Sequence, residues 1–364
     1  MHVLFLADGL FPFVVGGMQK HSTMLIKHLS PLVDQITVCT CGEINAVPPS
    51  EVDILDKLIT SKNNIHVLTC TFEDRGKYLG HYLRASRKLS RTFLNLAGDL
   101  SQYDCIYAQG LTGDAFLKKH PRVLVNLHGL NMFQLSFSWK EEIEKRMMRP
   151  LFSKQIRRAW KTVSLGGRLS DILVANGATQ EQIVVTPNGV DDFWFDAPKA
   201  KKKTQKTRFL MVGRNDPAKG YEVLKEALTL INKPLEIHFV GDWPVLESTY
   251  HNLTYHGVLR GKQQMMNVMD SCDILLLPSL SEGMPTVVLE AKARGLQVIG
   301  TAVGAMEILE SNLLPPGDAS ALAEVMTLER DLKQRETLSK RFRWTQVAAA
   351  TVESFSDDSD KGPN

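Results

Sequence analysis

Residues 272–309 read CDILLLPSLSEGMPTVVLEAKARGLQVIGTAVGAMEIL, and the fold is decided by how this stretch is parsed. Ile274 to Leu277 form a continuous apolar run, as expected of a parallel strand buried on both faces. Pro278 to Gly283 break that run with turn-forming residues. Pro285 suits the first turn of a helix that continues through Arg294, and Gly295 suits its stop. Gln297 to Gly300 then give a second short strand. The unit is βαβ, with a loop and a fresh helix N-terminus at the carboxyl end of a strand. Open α/β sheets bind ligands there, and the free N–H groups of a helix N-terminus favour an anion.

Two carboxylates, Glu282 in the loop and Glu290 on the helix, lie within this unit. Each admits two readings: a solvated surface charge, or a group held for a ligand hydroxyl. Glu282 is followed by Gly-Met-Pro, whose backbone can approach a ligand closely, and Glu290 is flanked by apolar Val287, Val288, Leu289 and Ala291.

The chain has 364 residues, 43% apolar and 23% charged, which describes a globular α/β protein long enough for two domains. A net charge of +3 is too small to imply nucleic-acid binding. The five cysteines are odd in number and lie mostly in apolar runs, as buried thiols of a reducing compartment do. No segment has the roughly 20 apolar residues of a membrane span. Met1 to Phe13 carries Asp8 and no basic start, so it reads as a first buried strand rather than a signal peptide.

Strands are expected at Val3–Ala7, Ile36–Cys41, Ile65–Thr69, Cys105–Ala108 and Val123–Leu127, alternating with helical stretches in a doubly wound sheet. The loop after the first strand ends in Gly16-Gly17, just before a helix from about Gln19 to Leu29. Paired glycines there serve either a plain turn or a close approach to a phosphate or sugar. His128-Gly129 directly follows a strand, as a structural histidine or as a ligand contact. Two basic stretches, 75–98 and 140–161, interleave cations with aromatic and aliphatic residues. They read as solvated helix faces or as contacts with an anionic membrane.

Asp191 and Asp192 sit in a turn and do not suffice for a metal. Ala197 to Thr207, rich in lysine, reads as a linker. Beyond it, Arg208–Val212 is a strand, and the following loop carries Arg214 and Lys219 ahead of a helix through Leu230. A guanidinium fork and an ammonium beside a helix N-terminus make a diphosphate cradle.

The pattern Glu282-x7-Glu290, with Gly283-Met284-Pro285 between, resembles the nucleotide-sugar site of retaining GT-B glycosyltransferases of the GT4 type, the glycosyl transferases of group 1. Gly16-Gly17, His128, Pro187-Asn188-Gly189 and the Arg214/Lys219 pair follow in that family's order, over nearly the whole chain. Ala305 departs from it, standing where a second glycine is usual before Glu307.

The resemblance implies two Rossmann-like doubly wound α/β domains facing each other across a cleft, with a C-terminal helix crossing back. Residues 1–196 would bind acceptor, 197–207 link, 208–335 bind nucleotide sugar, 336–354 return, and 355–364 form a disordered tail. It implies retaining transfer of a hexosyl group from a UDP- or GDP-sugar to a hydroxyl of a glycan or glycolipid acceptor, in surface polysaccharide or lipopolysaccharide synthesis. The setting would be cytoplasmic, at the inner face of the cell membrane, with no metal or other cofactor.

By the same resemblance, Arg214, Lys219, Gly16, Gly17 and the helix N-terminus at Gly283, Met284 and Pro285 stabilise the departing diphosphate. Glu290 holds the ribose, Glu282 orients the donor sugar, and His128 lies near sugar and acceptor. Two rival readings use the same fold: a nucleotide-sugar epimerase and a non-catalytic binding subunit.

Overall fold

The computed structural model describes residues 1–58, 64–74, 76, 80–196, 207–328 and 338–356. They form two compact units, Met1–Asn188 with Trp344–Asn364, and Gly189–Arg343. In the first, the strands are β1 (His2–Leu6), β2 (Gln35–Ile44), β3 (Ile65–Phe72), β4 (Cys105–Gln109), β5 (Val123–Asn126), β6 (Lys161–Ser164) and β7 (Ile183–Val185). They build one 7-stranded parallel sheet in the order β3-β2-β1-β4-β5-β6-β7. Its helices are α1 (Gly17–Leu29), α2 (Glu51–Leu58), α3 (His81–Ala97), α4 (Trp139–Arg158) and α5 (Arg168–Ala175). The apolar runs of β1 and β4 are buried on both faces, as a parallel sheet covered by helices requires. Leu25, Ile26 and Leu29 of α1 join Val3, Phe5 and Val38 in the core.

The second unit repeats the plan with β8 (Arg208–Val212), β9 (Glu236–Val240), β10 (Asn252–Tyr255), β11 (Ile274–Leu277), β12 (Gln297–Thr301) and β13 (Leu313–Leu314). Their order is β10-β9-β8-β11-β12-β13, again parallel throughout. Helices α6 (Tyr221–Leu230), α7 (Lys262–Ser271), α8 (Thr286–Ala293) and α9 (Ala319–Thr327) connect them. The last helix, α10 (Trp344–Phe355), returns to the first unit, where Trp344, Val347 and Phe355 enter the core beside α1. In each sheet the winding reverses once, between β1 and β4 and between β8 and β11. These are the topological switch points at which such sheets leave a crevice beyond the strand ends.

Several expectations change. The strands β6, β10 and β13 add to those anticipated; each is short, and β13 has only 2 residues. Pro285 is the residue before α8, not part of its first turn, and its carbonyl accepts from Val288 N at 3.1 Å. Gly189–Asp196, expected to close the first domain, belong to the second unit. Val190 N donates to Phe342 O at 2.8 Å, and the carbonyls of Trp194 and Asp196 accept from Arg294 Nη1 at 3.3 and 2.5 Å. The expected linker 197–207, apart from Thr207, and the tail from Asp357 lie outside the described residues, as do residues 336–337 of the return segment. Among the described residues no helix is long and apolar enough to cross a membrane.

Arg294 is the charge on which the second unit's boundary turns. Only 1% exposed, it pairs with Asp270 in fork geometry, Nε to Oδ1 at 2.8 Å and Nη2 to Oδ2 at 2.6 Å. Removing one partner of such a pair strands the other as an uncompensated buried charge, at about 3–5 kcal/mol. Asp270→Ala should therefore lower the unfolding free energy, from a denaturant titration followed by circular dichroism, by that amount. A loss below about 1 kcal/mol, within reach of a surface pair, would show that the fork does not anchor this boundary.

Candidate functional site

The second unit brings three loops together beyond the carboxyl ends of β8, β11 and β12. The β8 loop runs Gly213 to Lys219 and ends in a 3-10 turn at Pro217–Lys219, capped by the Asp216 side chain accepting from Ala218 N at 2.9 Å. Gly220 then takes φ +70°, and a Cβ there would lie 1.8 Å from the carbonyl oxygen of Pro278. That contact presses the β8 loop onto the β11 loop, where Leu280 N donates to Ala218 O at 2.7 Å. The β12 loop closes from the other side: Ala305 N donates to Gly283 O at 2.8 Å, and Gly304, at φ +55°, leaves 2.2–2.3 Å between a would-be Cβ and the carbonyls of Gly283 and Glu282. The retained glycine Gly304 is thus the one the packing needs, and Ala305 is accommodated.

Glu282 ends up buried at the centre of this junction. Its Oε1 accepts from Lys219 Nζ at 2.7 Å and from Ser279 Oγ at 2.8 Å, and the Ser279 carbonyl is itself held by Thr301 Oγ1 at 2.5 Å. Lys219 and Glu282, expected to act separately on diphosphate and sugar, are joined in one ion pair. Lys219 keeps two further N–H donors and remains partly exposed. Arg214, on the same loop, is exposed and has no ion-pair partner among the described residues. Met284 is buried beneath the loop, and Glu290 sits half-buried on α8 between buried Leu289 and Ala291. Arg214, Lys219, Glu282, Gly283, Met284, Pro285 and Glu290 thus cluster around the β8/β11 switch point.

In the first unit the β1/β4 switch point carries a different chemistry. Gly16 precedes α1 with extended backbone and Gly17 begins it, with open space where a Gly17 side chain would go. His128 follows β5 at φ +54°, its N–H donating to Asn126 Oδ1 at 2.9 Å and its Nε2 bonded to Gln109 Oε1. Packing pushes the His128 pKa down to about 4. His21 on α1, 5% exposed, bonds the other end of the Gln109 amide and is held well below the usual imidazole range by burial. Asp8, at the end of β1, accepts from Gln19 Nε2 at 3.1 Å, and burial raises its pKa to about 6.

Sequence reading used Asp8 only against a signal peptide and passed over His21, Gln109 and Ser279. A signal was present for two of these four: Gln109 ends the apolar strand β4 and Asp8 lies two residues beyond β1, each beside a glycine.

The basic stretches divide. On α3, Arg84, Arg87 and Arg91 are exposed, but Arg75, Lys77 and Tyr78 lie outside the described residues. On α4, Lys145 is no solvated charge: it is buried, pairing with Glu141 at 2.8 Å and with Leu135 O at 2.6 Å. Trp139, Ile143 and Met147, spaced at i, i+4 and i+8, form an exposed apolar stripe on α4 flanked by Lys140 and Arg146. Cys39, Cys41, Cys105 and Cys272 are buried cysteines outside any disulfide. Asp192 pairs with Arg343, and among the described residues no group of three His, Cys, Asp or Glu side chains is placed to hold a metal.

Two family models match: "Glycosyltransferase Family 4" over residues 15–192 and "Glycosyl transferases group 1" over residues 206–328. A Bacillus subtilis (strain 168) protein assigned as teichuronic acid biosynthesis glycosyltransferase TuaC is 32% identical over 203 residues, 49% of this chain and 51% of that protein. An Escherichia coli enzyme named UDP-Gal:alpha-D-GlcNAc-diphosphoundecaprenol alpha-1,3-galactosyltransferase is 30% identical over 189 residues, 44% of this chain and 49% of that one. The matched region thus spans about half the length of these curated relatives. Sucrose-phosphate synthase of Thermosynechococcus elongatus superposes with a TM-score of 0.75 at 17% identity, covering 97% of this chain and 98% of that one. At that identity the likeness establishes the fold, which is GT-B.

The Asp8 carboxyl gives this region a pH signature. Its pKa of about 6 in the folded chain exceeds the ordinary 3.8. The native state therefore keeps a proton that the unfolded chain releases, and stability falls as pH rises from about 4 to about 6. Asp8→Asn should be more stable than wild type by on the order of 2–3 kcal/mol at neutral pH, with the difference vanishing near pH 4. Urea titrations of both proteins across that range check it; a pH-independent difference would remove Asp8 as the cause.

Proposed function

The chain belongs to the glycosyltransferases of group 1 and family 4, and from that premise we propose that it moves a hexosyl group from a nucleotide-diphosphate sugar to a hydroxyl of a glycan or lipid-linked glycan, with retention at the anomeric carbon. The observation that carries this reading is the Lys219–Glu282 pair at the β8/β11 switch point, with exposed Arg214 on the same loop. The bond from the anomeric carbon to the diphosphate oxygen breaks, and negative charge accumulates on the leaving group. Arg214, the two remaining Lys219 donors and the amides at the start of α8 stabilise that charge without a divalent ion. Each such preorganised group is worth roughly 10²–10³ in rate.

Glu282 is a poor nucleophile here, because Lys219 and Ser279 already stabilise its anionic oxygen. This supports a front-face substitution in which the acceptor oxygen bonds to the anomeric carbon. Its proton passes to the departing diphosphate oxygen, and no covalent enzyme intermediate forms. Glu282 orients sugar hydroxyls, Glu290 holds the ribose, the Gly16-Gly17 backbone serves the diphosphate as the family resemblance implies, and His128 serves the sugar and acceptor. A UDP-sugar donor and a lipid-linked acceptor in surface polysaccharide synthesis are favoured by the names of the relatives.

A lipid-linked acceptor requires the protein to work at a membrane surface, and the exposed Trp139–Ile143–Met147 stripe with Lys140 fits an anionic cytoplasmic leaflet, Arg146 beside it being paired with Glu142 at 2.8 Å.

A thermal-shift panel of UDP, GDP, ADP and their sugar conjugates, without magnesium, tests the donor site. One nucleotide class at about 100 times its Kd should stabilise wild type by about 2.7 kcal/mol, and Glu290→Ala should lose that shift. Folded wild type that responds to none of them would sink the assignment. For the membrane, co-sedimentation with anionic phospholipid vesicles should fall at least several-fold in the Trp139→Ala/Ile143→Ala variant and with added salt. Equal sedimentation of the two proteins would exclude this stripe.

A further inference from the structure

Gln109 ends β4 with its side chain fully buried, and its primary amide lies between two imidazoles from different elements. Nε2 donates to His21 Nδ1 at 3.1 Å, while Oε1 accepts from His128 Nε2. The two rings stand edge to face with centroids 4.9 Å apart, and His21 packs edge-on against Trp344 of α10 at 5.2 Å. The residue is fixed from behind as well: its carbonyl accepts from Thr112 Oγ1 at 2.7 Å, and it pairs in register with Asn126 of β5.

A buried glutamine with no role beyond packing needs only some partner for each polar end. Here both ends are spent on histidines, and an amide has one donor end and one acceptor end. Bound between two imidazoles, it imposes opposite roles on them. His21 Nδ1 accepts and carries no hydrogen; His128 Nε2 donates and must carry one. A neutral imidazole has a single ring proton, so His128 Nδ1 is left as a bare acceptor. The His128 backbone, at φ +54°, is in a conformation that non-glycine residues hold only when their surroundings fix it. The Gln109 bond and the Asn126 bond to the His128 N–H do so.

We propose that Gln109 is a positioning residue that holds His128 as its Nε2–H tautomer, so that His128 offers Nδ1 to a sugar hydroxyl as a hydrogen-bond acceptor. The sugar hydroxyl rests on the glycosyl-transfer reading above; the tautomer does not.

Long-range proton–nitrogen spectra of histidine-labelled protein near neutral pH test it, with His21→Ala and His128→Ala supplying the assignments. Wild type should show His128 protonated on Nε2 and His21 unprotonated on Nδ1. Gln109→Glu keeps an acceptor for His128 but removes the donor to His21, so it should keep His128 protonated on Nε2 and put a proton on His21 Nδ1. Gln109→Leu removes both bonds and should release His128 into a mixture of tautomers. Circular dichroism establishes that the variants fold; if the leucine variant does not, the glutamate variant alone decides, by whether His21 Nδ1 gains a proton. His128 protonated on Nδ1 in wild type, or rings that ignore the substitutions, overturns the proposal.

Turnover separates the two claims, using whichever member of a UDP-, GDP- and ADP-sugar panel wild type hydrolyses. A fall of about tenfold in Gln109→Leu, the value of one good hydrogen bond, with recovery in Gln109→Glu, supports both. An altered tautomer with full turnover keeps Gln109 in control of the ring and removes His128 from the sugar contact.

Discussion

The second unit depends on two places where no side chain fits. At Gly220 the backbone of the β8 loop lies against the Pro278 carbonyl, and at Gly304 the β12 loop lies against the carbonyls of Glu282 and Gly283. These contacts fix three loops as one surface before any charge is considered. Glu282 is buried as a consequence, and a carboxylate taken out of water is tolerated only when paired and hydrogen-bonded. Lys219 and Ser279 meet that requirement because the same loop packing delivers them. The ion pair follows from the glycines, not the reverse.

The order of causes matters for function. A lysine on a free loop would have to be ordered each time an anionic ligand arrived, at a cost in side-chain entropy. Held by Glu282, Lys219 is already placed, and its remaining donors need no reorganisation, which is the condition under which fixed charges stabilise a developing one. Glu282 also partly neutralises Lys219, so the exposed Arg214 carries the uncompensated positive charge of the loop. The two cations of the β8 loop are therefore unequal: one is oriented and damped, the other open to solvent.

Much of this was legible in the chain because backbone geometry writes itself into residue types. Ile274–Leu277 and Arg208–Val212 were located to the residue, since an apolar run bounded by turn residues has few other uses in an α/β protein. The loops at their carboxyl ends, with Arg214, Lys219 and Glu282, followed from that. What escaped has no local signature. Gly189–Asp196 look like the end of one domain along the chain, but Arg294, 98 residues from Asp196, claims their carbonyls for the other unit. Lys145 belongs by spacing to a basic surface helix, and only the fold shows that Glu141 and the Leu135 carbonyl bury it. The Gln109 amide joins residues 88 positions apart, a contact no periodicity records.

The two switch points differ in a way that matches the two kinds of chemistry a glycosyl transfer demands. Around β8 and β11 the functional groups are ions, suited to a diphosphate whose charge grows as the glycosidic bond breaks. Around β1 and β4 the groups avoid charge: desolvation holds His21 and His128 neutral, and Asp8 keeps its proton to about pH 6. Hydroxyl groups are recognised by donors and acceptors of fixed sense rather than by net charge, and a neutral imidazole has such a sense only if something chooses its tautomer. A carboxylate in the same place would also present an acceptor to His128 but would bring an ion into the site. A primary amide chooses the tautomer without adding charge.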